Sequence, residues 1–507
     1  MKINLKNLFG FFLFSISLLH SIDANSKKNN WGNTFITGGS ETIVYGQFHF
    51  VPLGGGMMEG IIGTERTSPM GVLSFWTGSS WTNASNVAHV DGYVKDYQTG
   101  FFIFPIGDNG FYRAAAVSKS SLDNPTTAAY FNASPSSAIT TSLKGGNEPL
   151  LPAGAPFNIN SFDKNLSVVS SIEYWDINGT TSAKISLTWE SMSNINSLTS
   201  GKLQNLTIAG WDGAKWVNIP STIDAVSILG NASNLTAGSI TTNSEITPDA
   251  FSVYTLASVK DRILVSTKVY LQGAWNGTSM NTTLNSLNLI PLKQPYNQPP
   301  FNYSGTETVA SIPSDVVDWV LVKLLSNDSQ NTLLGTRAAF LRSNGMVVDL
   351  DGTSPVEFKG LSSGNYKIAV FHRNHIPVLS SSAVPVSYDE DNVQLYDFTT
   401  SQNQAYQNTT ISNTAMVNLA NNGFFGLWGA DGNSNGRTSY IGVANDEYYL
   451  SAVALNALSV TTKSNVYSNG DYNMDGTVSY TGNNSDEVFL LSTVLGGNGT
   501  SYILRHF

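Results

Sequence analysis

Hydrophobic and polar residues alternate in short bursts along most of this chain. Thr42-Ile43-Val44-Tyr45-Gly46-Gln47-Phe48-His49-Phe50 keeps a period of two, and so does Ala183-Lys184-Ile185-Ser186-Leu187-Thr188-Trp189. That is the period of a strand with one face in a core. Gly, Asn, Ser and Pro separate such bursts from Trp31 to about Ser258, and no long amphipathic helix interrupts them. The pattern predicts a β-sandwich region over residues 31–260, as one unit or as two with a break near 150–165.

A second β unit is predicted over 261–400. Lys268-Val269-Tyr270-Leu271-Gln272-Gly273 opens it, and a Pro-rich excursion follows (Pro291, Pro295, Pro299, Pro300). Val316–Leu325, Arg337–Leu341, Val347–Leu350 and Tyr366–His372 supply later strands. Gly364-Asn365-Tyr366-Lys367-Ile368-Ala369-Val370 looks like the late strand of an immunoglobulin-like or transthyretin-like sandwich. Residues 401–413 read as a polar linker. Only in 414–507 does the pattern change to apolar stretches of helical character, which start at Asp446 and Asp486 with Asn445 and Ser485 as N-caps.

These last residues are duplicated. Asp431-Gly432-Asn433-Ser434-Asn435-Gly436 and Asp471-Tyr472-Asn473-Met474-Asp475-Gly476 stand forty residues apart. The register continues through Ser439-Tyr440 and Ser479-Tyr480, Gly442 and Gly482, Asp446-Glu447 and Asp486-Glu487, then Leu450, Leu455 and Leu490, Leu495. D-x-N-x-D-G is the first half of a calcium loop. Alternate side chains supply oxygens, the glycine allows the sharp turn, and the next residue offers its carbonyl. The predicted ligands are Asp431, Asn433, Asn435 and the Arg437 carbonyl in loop one. In loop two they are Asp471, Asn473, Asp475 and the Thr477 carbonyl. Gly442 and Gly482 occupy the position where a closing carboxylate is expected, and the acid arrives four residues later, as Asp446 and Asp486 or the neighbouring Glu447 and Glu487. Two calcium ions are therefore expected. Loop two should bind the tighter, because it carries more carboxylates and because Arg437 adds positive charge beside loop one.

The duplicated loops resemble the tandem calcium repeats of type I dockerins over about residues 424–507, with the late acid as a departure. The resemblance implies a small helical module at 414–507 that docks to a protein partner. Other phrases resemble modules of large secreted and surface proteins of Bacteroidetes, of the adhesin-like and hemagglutinin-annotated kind. They include Gly63-Thr64-Glu65-Arg66, His89-Val90-Asp91-Gly92-Tyr93, Pro105-Ile106-Gly107-Asp108, Tyr112-Arg113, Glu173-Tyr174-Trp175-Asp176, Gly210-Trp211-Asp212-Gly213 and His372-Arg373-Asn374-His375. That likeness implies a non-catalytic surface protein that binds a surface glycan.

Composition narrows the setting. Charged residues are 12% of the 507-residue chain, so its surface is polar but weakly charged. The net charge of −10 excludes an electrostatic nucleic-acid binder. With no cysteine there are no disulfides and no thiolate chemistry. Residues 1–24 have the basic end, apolar run and small terminal residue of a signal peptide, which predicts a secreted, extracellular or cell-surface location with no transmembrane segment.

Four other signals are weaker. Gly432-Asn433-Ser434-Asn435-Gly436 fits a G-x-S-x-G nucleophile elbow but lacks an α/β context. His372 and His375, three apart on one strand, would face opposite ways and not share a metal. Glu65, Asp91, Asp108 and Glu190 could include a glycosidase pair, but turn and surface roles are the commoner fate of such acids. Trp76, Trp81, Trp211 and Trp216 are candidate sugar platforms against a background of tryptophans in cores. The expected protein is thus a mainly β, secreted binding or adhesion protein with a calcium module. A carbohydrate-active enzyme with dockerin-type targeting is the rival.

Overall fold

The computed structural model describes residues 20–22, 28–30, 34–50, 60–121, 124–141, 147–149, 152, 154–419 and 423–507. The expected signal peptide lies almost wholly outside them. Contacts divide the chain into two units, Met1–Lys260 and Asp261–Phe507. Both are mainly β, as the alternation predicts. Among the described residues no helix is long and apolar enough to cross a membrane.

The first unit begins as a three-faced parallel coil. Glu41–Val44, Val72–Phe75 and Tyr93–Asp96 stack in parallel on one face. Gln47–Phe50 and Ser80–Thr82 pair on the second. Thr34–Ile36, Ile62–Thr64, Val90–Asp91 and Ile106–Asp108 line the third. His20–Ile22 and Lys28–Asn30 extend the first two faces in parallel. The alternating stretch Thr42–Phe50 is therefore two strands on two faces, with a corner between them at Gly46, where φ is +90°. Gly92, at φ +136°, makes another corner; a Cβ there would lie 2.1 Å from Thr64 Oγ1. A plain antiparallel sandwich from Trp31 onward is thus not what residues 34–112 form. Their inward alternation is satisfied by rungs above and below, which period alone does not distinguish from strands side by side.

The coil opens into a sandwich. Thr126–Phe131 pairs antiparallel with Tyr93–Asp96, and Tyr174–Asn178, Tyr254–Val259, Leu206–Trp211 and Trp216–Ile219 continue that sheet. The other sheet runs Gly100–Phe104, Ala115–Lys119, Ala183–Trp189, Gly238–Thr242, Ser221–Ile223. One apolar core joins coil and sandwich, from Val44 and Phe75 through Val117 and Tyr130 to Trp175, Leu187 and Leu256. It draws on residues from both sides of 150–165, the place of the break if this region were two units.

In the second unit, long strands Val316–Leu325, Leu333–Arg342 and Gly364–His372 form the middle of a sheet, near the expected positions. A tight turn returns the last of these as His375–Leu379. The segment read as a linker is folded: Phe398–Thr400 and Gln402–Gln404 are 3-10 turns, Ala405 is buried, and Ala415 N–H donates to Gln407 Oε1 at 3.0 Å. Met474, inside the second repeated loop, is buried in the same apolar core as Trp319 and Phe340.

Candidate metal centres

Each repeat is a loop, a three-residue strand and a short helix. Arg437–Ser439 and Thr477–Ser479 are the strands. Asp446–Tyr448 and Asp486–Val488 start helices that widen into π-type turns at Tyr449–Ala454 and Phe489–Val494. The Asn445 side chain accepts the Tyr448 N–H at 2.7 Å and the Ser485 hydroxyl accepts that of Val488 at 3.3 Å, so both are the N-caps the sequence predicts. Leu450, Leu455, Leu490 and Leu495 are buried in a small core of their own with Tyr472 and Val478.

The repeats are interlocked. Thr462–Ser464, after the first helix, pairs with the loop-two strand. Tyr502–Leu504, after the second helix, pairs with the loop-one strand. Tyr440 hydroxyl donates to Glu487 at 2.7 Å and Tyr480 hydroxyl donates to Glu447 at 2.7 Å. The glutamates thus reach across to the other repeat, whereas the neighbouring aspartates turn into their own loops.

That separates the closing acids. Asp446 accepts the N–H groups of Gly432 and Ser439, both at 2.9 Å. Asp486 accepts those of Tyr472 at 2.5 Å and Ser479 at 2.7 Å. Asp431 accepts from Asn435 and Gly436, both at 3.0 Å, and Asp471 from Asp475 at 3.1 Å and Gly476 at 3.0 Å. Asn433 and Asn435 direct their amides at the Ala444 carbonyl, and Asn473 directs its amide at the Asn484 carbonyl. The four-residue excursion therefore brings those two carbonyls to the loops, which the sequence reading missed. Asn435 and Asp475 lie exposed at the lip, and their side-chain oxygens accept the Arg437 and Thr477 N–H groups at 2.8 Å each.

Electrostatics mark these loops. Asp446, Asp471 and Asp486 are completely buried and Asp431 is 1% exposed, yet among the described residues none forms an ion pair with Lys, Arg or His. Burial pushes the Asp431 and Asp471 carboxyls up to about 7. Burial, then repulsion from Asp471, takes Asp486 to about 8, and Asp446 is raised by burial and by Asp431. Buried acid pairs with no ion-pair contact fit a cation that would displace their protons. The donor set is oxygen only, which suits a hard ion such as calcium. No group of three His, Cys, Asp or Glu is found among the described residues; most of the shell would be amide and carbonyl oxygen.

No family model, curated protein or solved structure matches the chain.

Arg437 stacks on an aromatic ring. Its guanidinium lies over the Tyr502 ring at 4.8 Å. Arg505 and Arg373 act on Asp431 and Asp471 respectively, so each loop also has one arginine from elsewhere in the fold.

A tight turn joins the two loops, and the sequence reading gave it no role. Ser434 hydroxyl donates to the Arg373 carbonyl at 2.6 Å, so the elbow serine is part of a turn. Asp431 N–H donates to the Asn374 carbonyl at 3.0 Å, and Asn374 Nδ2 donates to the Asp471 carbonyl at 2.7 Å. Flanking the turn, His372 and His375 are a cross-strand pair with Nδ1 atoms 3.0 Å apart. The expectation that they point apart is corrected: they lie on two strands, not one. Gly273 N–H donates to His375 Nε2 at 3.1 Å, and His372 Nε2 meets Asp318 at 3.1 Å. The rings are thus committed to each other and to protein partners. Burial opposes charge on Asp318, but Arg373 at 2.9 Å and His372 outweigh it and hold the carboxyl at about 2.

Among the acids of the first unit, Asp91 and Asp108 share buried Arg66 at 2.7 and 3.3 Å. Glu190 meets Arg113 at 2.9 Å, and Glu65 accepts the Thr67 hydroxyl at 3.0 Å. Trp211 and Trp216 are buried against Phe157, Trp81 is half-buried, and Trp76 is 41% exposed between Tyr45 and Tyr97.

Proposed function

We propose that this is a secreted or cell-surface binding and adhesion protein, non-catalytic, whose second unit is stabilised by two calcium ions. The single observation behind this reading is the repeated pair of buried aspartates that, among the described residues, make no ion-pair contact. Asp431, Asn433, Asn435, the Arg437 carbonyl and Asp446 would hold one ion; Asp471, Asn473, Asp475, the Thr477 carbonyl and Asp486 would hold the other. Calcium would supply charge neutralisation and cross-linking of each loop to its helix start. The dockerin-like repeats would then present residues 414–507 to a docking partner for assembly or attachment. Export rests on the signal-peptide pattern of residues 1–24.

Native mass spectrometry of the full chain in calcium should give two bound ions, one in Asp471→Asn and none in Asp471→Asn with Asp431→Asn. An unchanged ion count in the double variant rejects the reading. A pull-down from the native secretome, with and without chelator, tests docking.

The rival, a carbohydrate-active enzyme, has one observation in its favour. Asp176 lies in a cleft, its carboxyl raised by burial to about 6, with Asp249 near enough to add repulsion. Polysaccharide hydrolysis abolished by Asp176→Asn would establish it in place of the binding reading.

A further inference from the structure

The first unit has a cleft of about 610 Å³ beside the sandwich. Its lining includes Met70, Tyr93, Thr127, Asp176, Asn178 and Ser252. A second recess of about 600 Å³ shares Asn178 and Ser252 and adds Trp211, Asp249 and Phe251, so the two adjoin along one surface groove at those residues. Each is of the size that holds a small organic ligand.

Asp176 is the most unusual group in it. The carboxylate is 4% exposed and, among the described residues, has no ion-pair partner. It accepts the Tyr93 hydroxyl at 2.7 Å and Asn178 Nδ2 at 2.5 Å. Each of its oxygens thus has one donor, and a carboxylate can accept about four hydrogen bonds, which leaves capacity for a ligand that donates to it.

The surroundings select among donors. Arg66 also lines the cleft, but its charge is taken by Asp91 and Asp108. Asp176, Asp249 and Asp212 leave the groove acidic, which excludes an anion. Thr67, Ser68, Thr127, Asn178 and Ser252 are short neutral groups that both donate and accept, as a polyol requires. Met70 and the half-buried Phe251 offer apolar faces to the C–H side of a sugar ring.

We infer that this groove binds a neutral oligosaccharide, with Asp176 accepting ligand hydroxyls at its floor and Ser252 at the junction of two subsites. This rests on the binding-protein reading and names its ligand class. Two subsites sharing one wall favour an oligosaccharide over a monosaccharide.

The test is an array of neutral oligosaccharides probed with the full chain, followed by calorimetry on the best binder. Ser252 is exposed, so Ser252→Trp fills the junction without touching the core. That variant should abolish binding, Asp176→Asn should weaken it at least tenfold, and Met192→Ala, an exposed side chain that lines neither recess, should leave it unchanged. Thermal melts confirm that each variant is folded. Parent-like binding by folded Ser252→Trp and Asp176→Asn overturns the inference. So does the absence of any neutral binder at millimolar concentration, or a preference for spermine or amino sugars. Calcium counting on the same samples is independent of these results. Turnover of the bound sugar, lost in Asp176→Asn, would instead keep the groove and reject the binding-protein reading.

Discussion

The two units bury acids in opposite company. In the first, Asp91 and Asp108 divide Arg66, Asp96 takes Lys119 at 2.9 Å, and Glu173 and Glu190 divide Arg113. In the loops of the second, aspartate faces aspartate: Asp431 with Asp446, and Asp471 with Asp486. A buried charge that brings its own counter-charge is part of the fold, and removing either partner strands the other. A buried charge without one is set for something that arrives later. Asp318, salt-bridged to Arg373, shows that the second unit also uses the first solution where no ligand is called for. Asp176 shows the converse in the first unit, and it is the residue at the floor of the proposed sugar groove.

The largest effect should come from calcium. Two sites, each at a hundred times its Kd, add about 5 kcal/mol to the stability of the second unit. Because Met474 is buried in the core shared with Trp319 and Phe340, chelation should expose the second unit well beyond residues 414–507 to protease and spare the first. Asp471→Asn with Asp431→Asn should make the melt insensitive to calcium, yet leave the chelated protein at least as stable as the parent, since it removes two buried charges. A calcium-dependent melt in that variant would break the contrast between the units.

The same kind of change in the first unit should have the opposite sign. Arg66→Met leaves Asp91 and Asp108 buried and unpaired, at a cost of about 3–5 kcal/mol in urea denaturation. Adding Asp91→Asn and Asp108→Asn should restore much of the loss. If Arg66→Met alone is neutral, pairing is not what makes those acids tolerable.

Acid should sharpen the position of Asp176. Burial raises its carboxyl from the ordinary 3.8 to about 6. Between those values the folded protein holds a proton that the unfolded chain releases. Its contribution to stability is therefore full below pH 4 and is lost as pH rises through 6, by up to about 3 kcal/mol. Asp176→Asn should flatten that part of the pH–stability profile of the first unit. A profile that keeps the parent's slope would show that Asp176 is not buried as a protonated acid.

The smallest effect separates the two loops from each other. Loop two offers Asp471, Asp475 and Asp486, whereas loop one offers Asp431 and Asp446. Asn435→Asp should tighten loop one and Asp475→Asn should weaken loop two, each about tenfold, or about 1.4 kcal/mol. The modest size follows from the exposed position of both side chains at the lip. Calorimetric titration of the two variants beside the parent decides it; unchanged isotherms would move both residues out of the shell.

Much of this was legible along the chain. The duplication placed both loops, their caps and the late acids, because a local calcium loop draws its donors from a few consecutive residues. The strands Ala183–Trp189, Val316–Leu325 and the core of Gly364–His372 followed from alternation. Other features needed partners far away. Thr42–Phe50 alternates as one strand would, and only stacking against Val72–Phe75 and Ser80–Thr82 turns it into two. The choice between Asp446 and Glu447 depended on Tyr480, in the other repeat. His372 and His375 looked like neighbours on one strand until the Arg373-Asn374 turn reversed the chain.

The sequence by itself determined that the protein is mainly β, that its C-terminal region repeats an oxygen-donor loop, and that it has no thiol chemistry. Composition, short-range spacing and the period of apolar residues carry that information, since each is a property of neighbours in the chain. Tertiary structure alone decided which buried acids are neutralised. Arg66 lies 25 residues from Asp91 and 42 from Asp108, and Arg373 lies 55 from Asp318. A charge interacts through space, so its partner is set by how sheets and turns converge, and no local pattern records that.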